Sequence, residues 1–167
     1  MKPVGSAVEF NFIGAAYRFL IKPMMSDSPD RDGIRKRVLF VCVENSCRSQ
    51  LAEAFAHLHG GAAIAAYSAG SRPSGQVNPK AIAAMQELNY DLSRHQSKSL
   101  AEVPEVEYDY AITMGCGDEC PLVRARHRED WGIPDPKHME PDDFRQVRDL
   151  IETKVKALIA NLLASED

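Results

Sequence analysis

The chain has 167 residues, 44% hydrophobic and 26% charged, the balance of an ordinary globular protein of one domain, which excludes wholesale disorder. Its 20 Lys and Arg against 24 Asp and Glu leave a formal charge of −4, which argues against general affinity for nucleic acid or anionic lipid, so any anion site must be local. Four cysteines (Cys42, Cys47, Cys116, Cys120) are too few for a disulfide-stapled scaffold, and no stretch approaches the ~20 apolar residues of a bilayer span, so a cytoplasmic protein with no membrane partner is expected.

Residues 1–34 read as an N-terminal arm and linker. A weakly amphipathic piece (Phe10, Phe12, Ile13, Ala16, Phe19, Leu20) precedes a turn-rich polar stretch, 26–33. An appended arm or an early start codon is one reading, since Met24 and Met25 offer internal starts, and a partner-binding or membrane-surface helix is the other. A catalytic domain is expected over 35–167. Residues 38–43 form a continuous apolar run, the pattern of a strand covered on both faces. Residues 49–59 predict a helix with Leu51, Ala54, Phe55 and Leu58 on one stripe and Gly60-Gly61 as its stop. A second strand is expected over 63–68, ending at Gly70. Asn78 then caps a helix with Pro79 at its first position and Ala81, Ile82, Met85 and Leu88 on its apolar side. Tyr108 to Met114 reads as a third strand. A final helix over 142–164 carries Phe144, Val147, Ile151, Val155, Leu158 and Leu162 at helical spacing. Such alternation implies an α/β fold: an open, mostly parallel, four-stranded sheet flanked by helices on both faces, with its site at the carboxyl ends of strands.

The first strand runs directly into Cys42-Val43-Glu44-Asn45-Ser46-Cys47-Arg48-Ser49 and then into a helix. Five residues between a cysteine and an arginine are enough to wrap a tetrahedral oxyanion with backbone N–H groups at a helix N-terminus, so residues 43–49 are candidate oxyanion ligands. The Arg48 fork can hold two oxygens. Cys42, beneath the anion in a field that favours thiolate, is the candidate nucleophile. Ser49 is placed to donate to that sulfur, and Asn45 is a residue type that tolerates a left-handed turn. Cys47 reads as structural. A Walker loop is excluded because Gly-Lys-Ser/Thr is missing, and a thioredoxin-type pair because four residues separate Cys42 from Cys47.

Farther on, Trp131-Gly132-Ile133-Pro134-Asp135-Pro136 presents one carboxyl between two prolines. Displacement at phosphorus or arsenic expels an oxygen that needs a proton, which makes Asp135 the candidate acid, beside the alternative of a turn-forming Asp.

These segments, with Tyr67-Ser68-Ala69-Gly70, Val77-Asn78-Pro79-x-Ala81 and Asp91-Leu92-Ser93-x-His95, resemble the low-molecular-weight protein tyrosine phosphatase family, and within it the arsenate reductase branch. The resemblance runs from about residue 36 to 163. It implies a phosphatase-like fold with Cys42 as nucleophile, Arg48 as oxyanion-binding arginine, Asn45 and Ser49 as loop supports and Asp135 as general acid. Ser49-Gln50 stands where phosphatases usually have Ser-Pro, and Lys137-His138 follow the Asp-Pro turn in place of the aromatics that stack on phosphotyrosine.

After the third strand, Gly115-Cys116-Gly117-Asp118-Glu119-Cys120-Pro121 carries the remaining two thiols, and reducing arsenate needs two electrons that thiols supply by ending as a disulfide. The resemblance implies a relay from Cys42 to Cys116 to Cys120, with no bound cofactor or metal, and an external reductant: thioredoxin, or a low-molecular-weight thiol with a glutaredoxin-like partner. Gly115 and the short Cys116–Cys120 spacing depart from the thioredoxin-coupled pattern, so the order of the two thiols stays open. Glu44 departs too, because the family often has Gly there; its carboxylate is expected to point outward. A zinc half-site with His127 is an alternative for the pair. The rivals are a phosphatase acting on phosphate monoesters through Cys42 and a non-catalytic oxyanion or redox sensor. The basic run Arg124, Arg126, His127 and Arg128 is expected to be a solvated loop, with an acidic partner as the alternative.

Overall fold

The computed structural model describes residues 35–115, 117 and 123–164. The expected arm, 1–34, lies outside the described residues. Strand β1 (Lys36–Cys42) leads to helix α1 (Arg48–Gly60), and β2 (Ile64–Gly70) to α2 (Pro79–Gln86). Strands β3 (Tyr108–Thr113) and β4 (Ala125–Asp130) precede the long α3 (Pro141–Ala164). The four strands form one parallel sheet in the order β2-β1-β3-β4. The chain therefore leaves β1 toward one edge and returns on its other side, and such a switch point opens a crevice at the carboxyl ends. Cys42 stands opposite Gly70, and Val41 opposite Thr113, so three strand ends border that crevice.

Alternation along β1 supplies both cores. Val38, Phe40 and Cys42 pack with Leu51 and Phe55 of α1, Met85 of α2 and Ile151 and Val155 of α3. Leu39 and Val41 join Ala69 and Tyr108 on the opposite face. There Leu100, from a one-turn helix (Leu100–Glu102), and Val103, Val106 and Val123 pack against them. All six periodic residues of α3 are buried, as expected. Asn78 caps α2 by accepting from the Lys80 N–H at 2.8 Å. No helix among the described residues is long and apolar enough to cross a membrane.

Three expectations need correction. Leu58, placed on the buried stripe of α1, is 45% exposed. In that last turn His59 faces α3 instead, bonded to Glu152 at 2.9 Å. Leu88 is also exposed, because α2 ends at Gln86 and the stripe ends with it. The basic run 124–128, read as solvated loop, supplies most of β4. Apart from Ala125 its side chains are all exposed, so no apolar alternation marks it, and the charges guard a sheet edge against further pairing. Within that strand, His127 stacks on Tyr110 with ring centroids 4.8 Å apart.

Candidate active site

The loop joining β1 to α1 is shaped by where its carbonyls go. The carbonyls of Cys42, Val43, Glu44 and Ser46 accept from the N–H groups of Ser71, Arg72, Ser74 and Asn78, at 3.3, 2.8, 3.0 and 3.0 Å. Asn45 O accepts from Gln50 Nε2 at 3.1 Å, and Cys47 O from the Leu51 N–H at 2.9 Å. In a trans peptide the next N–H points opposite to the carbonyl, so six outward carbonyls turn the N–H groups of residues 43–48 toward the inside of the loop. Helix α1 adds its own N-terminus, with no side-chain cap and no acidic residue in its first turn. N–H groups so gathered form an anion cradle.

Buried side chains hold that shape. Asn45 has φ 47°, the left-handed turn expected of it. Its Nδ2 donates to Ser49 Oγ at 2.8 Å and to Ser68 Oγ at 2.9 Å. Ser49 must therefore accept from Asn45, which frees its single hydroxyl hydrogen for Cys42 Sγ, 3.0 Å away. By the same logic Ser68 donates to Glu53 Oε2 at 2.5 Å. Asn45 Oδ1 accepts from the Lys98 N–H and from Gln50 Nε2, at 2.8 and 2.9 Å. Burial pushes the Glu53 carboxyl up, but His57, the Lys98 ammonium and Ser68 outweigh it and hold the group below its ordinary range. Gln50 Oε1 can only accept, so His95 Nδ1 donates to it at 3.0 Å and His95 Nε2 accepts from the Tyr90 hydroxyl at 2.8 Å. Desolvation lowers the His95 pKa, which keeps the ring neutral near pH 7.

Gly70 is required by close approach. A Cβ there would lie 2.7 Å from Val43 O and 3.0 Å from Asn45 N, against the loop backbone itself.

Arg48 is buried at the start of α1. Its Nη1 donates to Met114 O at 2.8 Å and Ile133 O at 2.9 Å, and its Nη2 to Asp135 Oδ2 at 3.1 Å. Three of the five guanidinium N–H groups are thus engaged, and the remaining two have no partner among the described residues. That is the number a forked hold on two anion oxygens requires. The same contacts bring the turn bearing Asp135, half exposed, to the loop. Ile133 is buried in the main core, while Trp131 packs against Phe40 with centroids 5.8 Å apart.

Cys42 and Cys47 are both buried free thiols. Burial pushes the Cys47 thiol up to about 12, so it stays protonated at neutral pH, in keeping with its structural reading. Glu44 is ion-paired, its carboxylate on Lys137 Nζ at 2.7 and 2.9 Å. Cys116 and Cys120 lie outside the described residues. The entry to their segment is fixed: Asp130 Oδ1 accepts from Thr113 Oγ1 and from the Gly115 N–H, both at 2.7 Å.

The sequence reading missed Gln50, Glu53, Ser68 and Lys98 as loop supports and gave His95 no task. Gln50 did leave a signal, as a polar residue at the margin of the apolar stripe of α1, and Ser68 as a hydroxyl within an apolar strand, whereas Glu53 falls on the side of the helix away from Leu51, Ala54, Phe55 and Leu58 and left none.

Sheet order, inward amides and a cysteine beneath them define a class, the cysteine-loop oxyanion-binding proteins. The family model for low molecular weight phosphotyrosine protein phosphatase matches residues 37–166, and the chain belongs to that family. Glutaredoxin arsenate reductase of Synechocystis sp. is 40% identical over 130 residues, 76% of this chain and 98% of the relative. An arsenate reductase solved in the phosphate binding state superposes with a TM-score of 0.70 at 40% identity, over 75% of this chain and 98% of that one. The thioredoxin-dependent arsenate reductase of Corynebacterium glutamicum superposes with a TM-score of 0.65 at 29% identity, over 80% of this chain and 65% of that one.

Proposed function

We propose that this chain reduces arsenate to arsenite in a reducing, cytoplasmic compartment, drawing electrons from an external thiol. The observation that carries the reading is the loop of six outward carbonyls around Cys42, built for a tetrahedral oxyanion and closed by the two remaining Arg48 N–H groups. Relatives named as arsenate reductases, which match nearly their whole length to this chain, support arsenic over a phosphate ester.

In the proposed reaction Cys42 Sγ attacks arsenic while Asp135 protonates the departing oxygen, which leaves as water. The product is a thiol–arsenic adduct, still As(V). A second thiol, Cys116, attacks Cys42 Sγ; the S–As bonding pair passes to arsenic, which becomes As(III), and a Cys42–Cys116 disulfide forms. Cys120 then attacks Cys116, which frees Cys42 and leaves a Cys116–Cys120 disulfide. A thioredoxin or glutaredoxin-like partner, or a low-molecular-weight thiol, returns two electrons. Relatives named as glutaredoxin and thioredoxin-dependent arsenate reductases support a thiol reductant of this kind.

The test is arsenate-dependent NADPH oxidation with thioredoxin and its reductase, on the wild type and on Cys116→Ser and Cys120→Ser. Turnover lost in both variants is the expected result. No wild-type turnover, together with brisk p-nitrophenyl phosphate hydrolysis untouched by either substitution, moves the chain to the phosphatases.

A further inference from the structure

Glu44 belongs to the oxyanion loop, two residues after Cys42, and Lys137 belongs to the acid turn, two residues after Asp135. Their side chains meet in a bidentate contact at 2.7 and 2.9 Å, and Ser46 Oγ steadies the same carboxylate at 3.3 Å. Lys137 is tied to the acid a second way, its N–H donating to Asp135 Oδ1 at 3.1 Å. The other oxygen, Oδ2, receives Arg48. These contacts close a ring from the loop through Glu44, Lys137, Asp135 and Arg48 back to the loop.

We propose that the Glu44–Lys137 pair is a strap that positions Asp135 over the oxyanion loop, making Lys137 a positioning residue for proton transfer to the departing oxygen. The proposal rests on the reading above only for the identity of the reaction. The acid turn needs such a strap because Asp135 is held by just Arg48 and the Lys137 N–H among the described contacts, with its side chain 52% exposed. Proton transfer tolerates little error in placement, and a loosely held acid spends most of its time out of reach. Glu44 also bears on the anion. An unpaired carboxylate on the loop rim would repel arsenate, and the Lys137 ammonium cancels that charge, holding the Glu44 carboxyl below its ordinary range.

The strap makes a prediction that a simple attraction between Lys137 and arsenate does not. Single-turnover arsenate reduction, followed against arsenate concentration, separates the limiting rate from half-saturation. Lys137→Met and Glu44→Gln should each lower the limiting rate by about fivefold, the most that a half-exposed ion pair supplies, with half-saturation within about twofold in Glu44→Gln and raised in Lys137→Met, which leaves the Glu44 carboxylate unpaired. The double variant should lose no more than either single, because both remove the same contact. Lys137→Arg, which can remake the bidentate pair, should recover most of the rate. Amide hydrogen exchange across residues 131–139 should quicken in both single variants and not in Lys137→Arg. A raised half-saturation with an unchanged limiting rate, additive losses, or exchange that does not change overturns the strap. If the wild type shows no arsenate turnover, the reaction assignment fails instead. The strap is then judged by the same variants in p-nitrophenyl phosphate hydrolysis, which uses the same first displacement, and by exchange.

Discussion

The two halves of the site are built on opposite principles. The oxyanion loop is buried apart from Val43 and Glu44, every carbonyl from Cys42 to Cys47 is bonded outward, and the polar side chains of Asn45, Ser49, Gln50 and Ser68 are themselves paired. The turn bearing Asp135, the proposed acid, is half exposed, anchored at Ile133 and Trp131 and held at its tip by Arg48 and Lys137. Rigidity is placed where charge must be met without reorganisation. Freedom is left where reactants enter and product leaves. Effects of substitution should therefore differ in kind: in the turn and in the Glu44–Lys137 pair that holds it they strike the rate, and in the rest of the loop's support they strike binding and stability.

The sharpest test is Asp135→Asn, which should lower the single-turnover rate by about 10²–10⁴ while inorganic phosphate still binds, as calorimetry would show. Equal losses in rate and phosphate affinity would mean that the turn shapes the cradle and the contrast is false. Next comes Gly70→Ala, whose methyl meets Val43 O at 2.7 Å. It should cost about 1–3 kcal/mol in denaturant unfolding and raise half-saturation for arsenate more than it lowers the limiting rate.

Glu53→Gln probes the support behind the loop and should cost about 1–3 kcal/mol at neutral pH, because His57, Lys98 and Ser68 lose a charged partner. The folded-state pKa of Glu53 is below its ordinary value of 4.5, so its contribution is present above that value and lost as pH falls through the folded one. The gap in melting temperature between wild type and variant should accordingly be widest near neutrality and close in acid. The smallest expected effect is on Cys47. With its thiol pushed up to about 12 it should resist iodoacetamide at pH 8 in peptide mapping, while Cys42 is alkylated unless phosphate fills the loop.

What the sequence made legible follows from the same contrast. Residues 42–49 could be read because the chemistry demands certain residue types at fixed spacing along a continuous segment. Asn45 could be read as the left-handed position because few side chains tolerate it. Residues such as Glu53, Ser68 and Lys98 could not be assigned their task, since they come from α1, β2 and a later loop, and only the tertiary fold brings them together. Strand β4 was missed because it has no buried face to leave a period of two. Conversely Leu58 and Leu88 fit the period yet stay exposed, because periodicity reports an element's face and not where its neighbour or its own end lies.

A loop whose carbonyls are already tied has little conformational freedom left to surrender when an anion arrives. Its affinity is not eroded by ordering, and the empty and filled shapes should nearly coincide. Such a cradle does not distinguish arsenate from phosphate by adjusting its fit, because both are tetrahedral and present the same oxygens. Where phosphate outnumbers arsenate, phosphate is then the commoner occupant. Discrimination falls to the step after capture: a sulfur–arsenic bond can be broken by a second thiol with reduction of the arsenic, whereas phosphate has no accessible lower state and simply departs.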